Sequence, residues 1–398
     1  MGDAVSLALV GIGGYGNSYV SALLDAPNQD DFRIVGVVDP SPASCRRLGE
    51  LEARRVPVYA SMEKLYAEHT PQLVILSTPH QLHATQTCDA LTRGSHVLCE
   101  KPLCVTPKQI EQMKQARDAT RKAGAGKLVA IGYQWSFSET VQALKADILS
   151  GRFGKPKRLR CMALWPRDEV YYARNRWAGA KTDAAGRLVL DSPVNNACAH
   201  YLHNLLYLIG DAIDRSAQPA TLTAELYRAH RIENYDTAAL RGVTRDGVEV
   251  LFIVSHATQS RLGPVFSCEF ERGVVTFADK PGATIKATFA DGTTHDYGSP
   301  NDDRERKLWL TLDAVRNAAP TLCGIEAAEP HTRCTWAAQQ SEIVTFAPSL
   351  IRVEGPAGLR KTWIEGLGQT LEQCYEQGKL PSELSVPWAR PGRGVPVA

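Results

Sequence analysis

The sequence predicts a doubly wound, parallel α/β domain followed by an α+β domain built on a largely antiparallel sheet. Three observations carry this. Short apolar runs alternate with helical segments through the first third of the chain. A glycine-rich turn, Gly11-Ile12-Gly13-Gly14-Tyr15-Gly16, closes the first of those runs. After Trp135 the pattern changes to long β-type stretches joined by Asp-Gly turns. Near-continuous apolar strands that alternate with helices belong to a parallel sheet covered on both faces.

The elements follow in order. Val5–Val10 is the first strand and Tyr15–Leu24 a helix. Phe32–Val38 is a second strand ending at Asp39-Pro40. Ser61 caps a helix running to His69, with Lys64 where a capping box has its glutamate. Leu73–Ser77 is a strand stopped by Thr78-Pro79. His80–Arg93 is a helix closed by Gly94. His96–Cys99 is a strand, Thr106-Pro107 opens a helix reaching Ala123-Gly124, and Lys127–Tyr133 is a sixth strand. Beyond it a helix spans Glu139–Leu149. Strands are expected at Lys157–Leu164, Thr221–His230, Thr237–Thr244, Val248–His256, Ser267–Phe277 and Ala283–Phe289. Asp246-Gly247 and Asp291-Gly292 mark hairpins. Helices are expected at Arg304–Asn317, His331–Ile343 and Leu359–Gln377. The domains divide as 1–133, dinucleotide-binding, and 134–398.

Composition excludes several classes. A chain of 398 residues accommodates two domains. A net charge of +2 argues against nucleic acid or an anionic membrane as partner. Ten cysteines without a C-x-x-C pair read as reduced thiols in a cytoplasmic protein, not as a zinc site. No apolar run is long enough to cross a bilayer. Met1-Gly2-Asp3-Ala4-Val5-Ser6 fits the myristoylation pattern formally, but Val5–Val10 is needed as a strand, and the start reads as no signal peptide.

The glycine turn stands between a strand and a helix, as a dinucleotide site requires. Gly11 permits the tight turn, Gly13 lets the backbone approach a pyrophosphate, and Gly16 lets helix and strand pack closely. The pyrophosphate would meet the free N–H groups of the helix N-terminus, beside Gly14 and Tyr15. Asp39, ending the second strand, would accept hydrogen bonds from the adenosine ribose. Its charge would repel a 2′-phosphate, so NAD is favoured over NADP, although Arg46 and Arg47 follow closely.

Two further constellations point to chemistry. Lys101, in Cys99-Glu100-Lys101-Pro102, stands at the carboxyl end of a strand in the same sheet, where ligands bind in such folds. On Asp191–Gly210, read as one helix capped by Ser192-Pro193, positions Asn196, His200, His203, Asn204 and Tyr207 share a face. Imidazoles and amides on an otherwise apolar helix are costly to bury unless they line a wet or liganded cavity. The His-x-x-His spacing lacks a carboxylate ligand, so no metal is expected. Trp165, Arg167, Tyr172 and Arg176 form a segment suited to a sugar ring or a carboxylated sugar.

Together these residues resemble the glucose–fructose oxidoreductase/inositol dehydrogenase (Gfo/Idh/MocA) family, broadly from Val5 to about Gly210 and more loosely to about Ser341. Thr78-Pro79-His80-Gln81-Leu82-His83 is similar to its segment beside the nicotinamide ribose, Glu100-Lys101-Pro102 to its lysine motif, and Gly132-Tyr133-Gln134-Trp135 to its domain entry. The resemblance implies a Rossmann domain and a large open, mostly antiparallel sheet. It implies homodimers or homotetramers built on that sheet, and NAD(P)-dependent oxidation or reduction of sugars, cyclitols and their derivatives. It puts Ser77, Thr78, Pro79, His83, Glu100 and Lys101 on the cofactor. His200 would be the base, Lys101 would stabilise the developing alkoxide, and His203 and Asn204 would add substrate contacts. Asn196 stands where the family usually has an aspartate. That departure leaves room for a ligand sensor, or for a redox-neutral enzyme with tightly held NAD.

Overall fold

Six apolar runs pair side by side in the first unit of the computed structural model, which describes residues 4–397. They are β1 (Val5–Val10), β2 (Phe32–Val38), β3 (Val58–Tyr59), β4 (Leu73–Leu76), β5 (His96–Cys99) and β6 (Val129–Ile131). All pairings are parallel, in the order β3-β2-β1-β4-β5-β6. The order reverses between β1 and β4, which makes their carboxyl ends the switch point where ligands bind in such sheets. Leu7, Leu9, Val37, Val74, Leu76, Leu98 and Ile131 are buried, as a sheet covered on both faces demands. Ser61 caps Met62–Glu68, and Thr106 and Gln109 form a capping box on Pro107–Lys122. The myristoylation pattern begins outside the described residues.

The first unit runs to Ser138 and also takes in Asp303–Glu329. That return of the chain places a segment read as part of 134–398 with the dinucleotide-binding domain. Its helix, Arg306–Arg316, buries Lys307, Leu308, Thr311 and Leu312. Three polar ties fasten the segment: Arg316 to Asp31 at 3.1 Å, Arg117 to Glu326 at 2.7 Å and Lys114 to Glu329 at 2.8 Å. The backbone N–H of Ile131 donates to Cys323 O, so the β6 edge is covered.

The second unit comprises Glu139–Asp302 and the chain from Pro330 onward. Its sheet contains β7 (Pro156–Leu164), β8 (Pro219–Arg228), β9 (Thr237–Thr244), β10 (Glu249–Ser255), β11 (Leu262–Phe270), β12 (Gly273–Ala278), β13 (Ile285–Phe289), β14 (Thr294–Gly298) and β15 (Ile343–Thr345). The order is β14-β13-β12-β11-β7-β10-β9-β8-β15. Most pairings are antiparallel; β7–β10 and β8–β15 are parallel. Along β10, Leu251 and Ile253 face a core built with Leu367, Leu371 and Cys374 of the helix Leu367–Gln377. Val250 and Phe252, on the other face, line a small apolar cavity with Leu202 and Leu206. The central strands are thus covered on both sides by this chain's own helices, which bears on any association built on that sheet.

Three sequence expectations are corrected. Ser267–Phe277 is not one strand: the chain turns at Glu271-Arg272, and β11 and β12 pair antiparallel. The helix expected at His331–Ile343 occupies Ile325–Ala338, and β-branched Ile343–Thr345 joins β8 instead. Leu359–Gln377 is not one helix. Lys361–Ile364 pairs with Ile351–Glu354 as a hairpin, and Gly366, in the left-handed region at φ 75°, breaks the chain before Leu367.

The buried Glu100–Lys307 pair generates a stability prediction. Burial pushes the Glu100 carboxyl up, but the Lys307 ammonium and the hydrogen bonds from Lys307 and Tyr19 outweigh it and leave it below its ordinary range. Burial depresses Lys307, yet Glu100 leaves it raised. The carboxylate's contribution is therefore present above its unfolded pKa, about 4.3, and is lost as pH falls through the folded value. The ammonium's is present below about 10.4 and is lost as pH rises through the folded value. Lys307→Met strands a buried carboxylate, and chemical denaturation at pH 7 should show a loss of about 3–5 kcal/mol, largely recovered by adding Glu100→Gln. The gap between wild type and the single variant should shrink below about pH 4.

Candidate active site

The strand ends of the first unit bring the predicted residues together in the order the sheet dictates. Gly11 follows β1, Asp39 follows β2, Ser77 follows β4, and Glu100-Lys101 follows β5. Gly11 has φ 84°, and a Cβ there would stand 2.5 Å from Ser77 O. A Cβ on Gly16 would stand 2.0 Å from Gly11 O, so the helix Gly16–Leu24 starts in direct contact with the turn. At Gly13 the nearest atom to an added Cβ is the Ser44 hydroxyl, at 2.2 Å. The helix has no side-chain cap, which suits its N-terminus to an anion. This cradle, closed to any side chain at Gly11 and Gly16, fits a dinucleotide pyrophosphate.

Asp39 braces the same turn. Its Oδ2 accepts from Ile12 N at 3.1 Å and its Oδ1 from Ser41 N at 2.8 Å. Arg47 is committed to Asp25 and Glu50. Arg46 lines an open cleft with Gly14, Tyr15, Asn17 and Glu305. Thr78 Oγ1 donates to Gln86 at 2.5 Å. His83, expected on the cofactor, is buried, with Nδ1 2.7 Å from Pro102 O and Nε2 2.9 Å from Thr78 O. Both ring nitrogens face backbone carbonyls, and the neutral ring, with one N–H, donates to one of them while packed between the Thr78-Pro79 turn and the Lys101-Pro102 peptide. Burial pushes its pKa down.

Glu100 sits at the centre of a buried cluster. Its Oε1 accepts from Tyr19 Oη at 2.7 Å and from Lys307 Nζ, while its Oε2 accepts from Lys101 N at 3.1 Å. Lys307 Nζ also donates to Tyr15 Oη at 3.1 Å and lies 4.5 Å from the Tyr15 ring centre and 5.2 Å from that of Tyr19. The glycine turn and the lysine motif thus share one carboxylate. Sequence reasoning missed Lys307, which has no local motif to mark it.

In the second unit the polar helix differs from the single helix read in the sequence. Ser192 accepts from Asn195 N, but Pro193–Ala197 forms a π-type turn with Cys198 N donating to Pro193 O, and the regular helix is Ala199–Leu208. Asn196 therefore lies in the turn that precedes the regular helix carrying His200. Its Nδ2 donates to Asp191 Oδ1 at 2.8 Å. Asp191 is buried, and its Oδ2 accepts from Gly179 N at 2.6 Å and meets Arg174 at 3.4 Å. This carboxylate beside Asn196 was given no role in the sequence reading; its place just before the Ser192-Pro193 cap is the only signal.

His200 and Asn196 are half-buried, whereas His203 and Asn204 are each 1% exposed. His203 stacks on Tyr207 with ring centres 5.5 Å apart; burial, then the charges of His331 and Lys145, hold it neutral. Asn204 has neither amide atom hydrogen-bonded. Trp165 Nε1 donates to Gly263 O, and its ring meets the edge of Tyr201 at 5.6 Å. Tyr172 Oη lies 3.3 Å from His256 Nδ1. Arg167 lies over Tyr171 at 4.5 Å, and Arg176 is exposed. Among the described residues no three His, Cys, Asp or Glu side chains gather as a metal set, and no helix is long and apolar enough to cross a membrane. The ten cysteines are thiols, and all but Cys88 are buried.

Comparison with known proteins agrees with this geometry. Residues 5–125 match the GFO_IDH_MocA model, an oxidoreductase family with an NAD-binding Rossmann fold. A 1-carboxy-3-chloro-3,4-dihydroxycyclohexa-1,5-diene dehydrogenase of Comamonas testosteroni is 27% identical over 60% of this chain, an alignment spanning 57% of that relative. An inositol 2-dehydrogenase of Burkholderia multivorans is 25% identical over 71% of this chain and 76% of its own. In fold, the chain is similar to the WlbA dehydrogenase of Bordetella pertussis, solved with NADH and UDP-GlcNAcA. The TM-score is 0.68 at 22% identity, covering 84% of this chain and 97% of that one. A levoglucosan dehydrogenase solved with NADH also gives 0.68, at 15% identity over 85% and 96%. With the parallel sheet, the glycine cradle and the Glu100-Lys101-Pro102 motif in place, residues 5–125 form an NAD-binding Rossmann domain of the Gfo/Idh/MocA oxidoreductase type, and the chain as a whole is similar to dehydrogenases of that kind.

Proposed function

We propose that the protein is an NAD-dependent dehydrogenase acting on a secondary alcohol of a sugar, cyclitol or related ring. The observation that carries this reading is Lys101, placed at the carboxyl end of β5 in the same row of strand ends as Gly11, Asp39 and Ser77. Relatives named for inositol and for a dihydroxylated carbocycle support a ring bearing neighbouring hydroxyls.

The roles follow from residue chemistry. Gly11, Gly13, Gly14, Tyr15 and Gly16 would hold the pyrophosphate, Asp39 the adenosine ribose, and Ser77, Thr78 and Pro79 the nicotinamide ribose. NAD, when bound, supplies the hydride acceptor. Lys101 donates a hydrogen bond to the reacting oxygen and stabilises its developing negative charge. His200 takes the hydroxyl proton, since an imidazole titrates near neutrality. Asn196, its amide N–H directed to Asp191, reads a substrate hydroxyl. Glu100 orients the lysine backbone rather than doing chemistry. Buried thiols support a reducing, cytoplasmic setting, and a homodimer or homotetramer belongs to the same reading.

Absorbance at the NADH band, with NAD and a panel of cyclitols and sugars, tests this. Turnover should appear, and Lys101→Met should lower kcat about 100-fold or more while NAD affinity holds within a few-fold. Normal turnover by the variant would remove Lys101 from the mechanism. Asp39→Ala should raise the KM for NAD about tenfold or more, by removing charged hydrogen bonds to ribose, and narrow the preference for NAD over NADP. An unchanged preference would show that Asp39 does not read the ribose.

A further inference from the structure

We propose that the second unit holds a carboxylate subsite centred on Arg167, so that the substrate is a carboxylated polyol, with its acid group at Arg167 and its reacting hydroxyl toward Asn196 and His200. This rests on the dehydrogenase reading above for the role of His200, but the subsite is argued from its own contacts.

Arg167 is a half-buried cation without a counter-charge. Its backbone is held from both sides: its N–H donates to His256 O at 3.1 Å, and its carbonyl meets His230 Nε2 at 3.2 Å. Its guanidinium lies 4.5 Å from the Tyr171 ring and 5.7 Å from Trp165. Nε is buried and makes no hydrogen bond. Among the described residues no carboxylate comes within ion-pair distance. Asp168, next in sequence, instead caps the short helix Glu169–Ala173 by accepting from Tyr171 N at 3.0 Å. A guanidinium stacked on aromatics keeps its planar fork for a carboxylate, which it binds bidentately.

The neighbouring groups extend the same site. Arg174 shares the Tyr171 ring from 3.7 Å, yet it is answered by Asp191. His256 is 1% exposed, with Nδ1 on Tyr172 Oη and a buried Nε2 that has no partner. Burial, then the charges of Arg167, His230 and Arg174, keep it neutral. It therefore adds a polar atom but no charge. Arg261 also lies over the Trp165 ring, at 4.5 Å, but is exposed; the half-buried Arg167 guanidinium, with its planar fork, suits a monoanionic carboxylate better than a phosphate dianion. The chain of contacts Arg174–Asp191–Asn196, together with Trp165 against Tyr201 beside His200, connects this cluster to the polar helix within the same unit.

Calorimetry on the full chain with saturating NAD tests the subsite without requiring turnover. Each member of a panel of uronates and aldonates is compared with its neutral sugar or polyol and with the matching sugar phosphate. At least one carboxylate should bind about ten- to 100-fold tighter than both counterparts, the range expected for hydrogen bonds to charged groups. Arg167→Met should collapse that preference, and Arg167→Lys should retain part of it. Equal binding of neutral or phosphorylated counterparts by the wild type would overturn the subsite, whatever the variants do. So would a preference intact in Arg167→Met. A carboxylate bound tightly but never oxidised would leave the subsite standing and remove the dehydrogenase reading. Oxidation of neutral polyols with no carboxylate preference would do the reverse.

Discussion

The Glu100 carboxylate is the interaction on which the first unit depends. It is buried at the end of β5 and answered by Lys307, from a helix about 200 residues later in the chain. Tyr19, in the helix that follows the glycine turn, donates to the same oxygen. The other oxygen takes the Lys101 amide. A buried ion pair contributes little net stability against an apolar alternative, because desolvation offsets the attraction. What it provides here is registration. The cradle for a pyrophosphate, the lysine motif and the returning segment Asp303–Glu329 cannot shift independently without leaving a charge unanswered in a low-dielectric interior.

The same logic operates separately in the second unit, with Asp191 as the shared carboxylate. It receives an amide N–H from Gly179, the side chain of Asn196 and the approach of Arg174. Asn196 is the amide that answers this acid. The acid sits beside the amide, and the π-type turn Pro193–Ala197 carries Asn196 where its Nδ2 reaches Asp191 Oδ1. The consequence is a fixed amide orientation, with N–H toward Asp191, next to the half-buried His200.

Much of the fold was legible because its physics is local. Buried parallel strands read as unbroken apolar runs, so β1, β2 and β5 match their sequence ranges. Ser61 and Thr106 announce helix starts through chemistry confined to a few residues. What escaped was short or long-range. Val58–Tyr59 is too brief to show a pattern. Ser267–Phe277 hid a turn at Glu271-Arg272 that contains no glycine or proline. The run from Leu359 carried helical spacing, but Lys361–Ile364 found a strand partner. Lys307 is an isolated lysine whose partner lies at the far end of the domain, and no periodicity reveals it. On the polar helix, spacing alone put Asn196 and His200 on one regular helix; only the hydrogen bond from Cys198 to Pro193 shows that a π-type turn precedes it.

The central claim is direct hydride transfer from a ring alcohol under the control of Lys101. Its most direct measurement uses polyols deuterated at the carbinol carbons, incubated with NAD and the protein, with the nicotinamide product analysed by mass spectrometry. Deuterium in the reduced nicotinamide, appearing in step with the ketone, is the predicted result. Product formed with no deuterium reaching the nicotinamide, or binding of NAD and polyol with no transfer at all, would contradict the account.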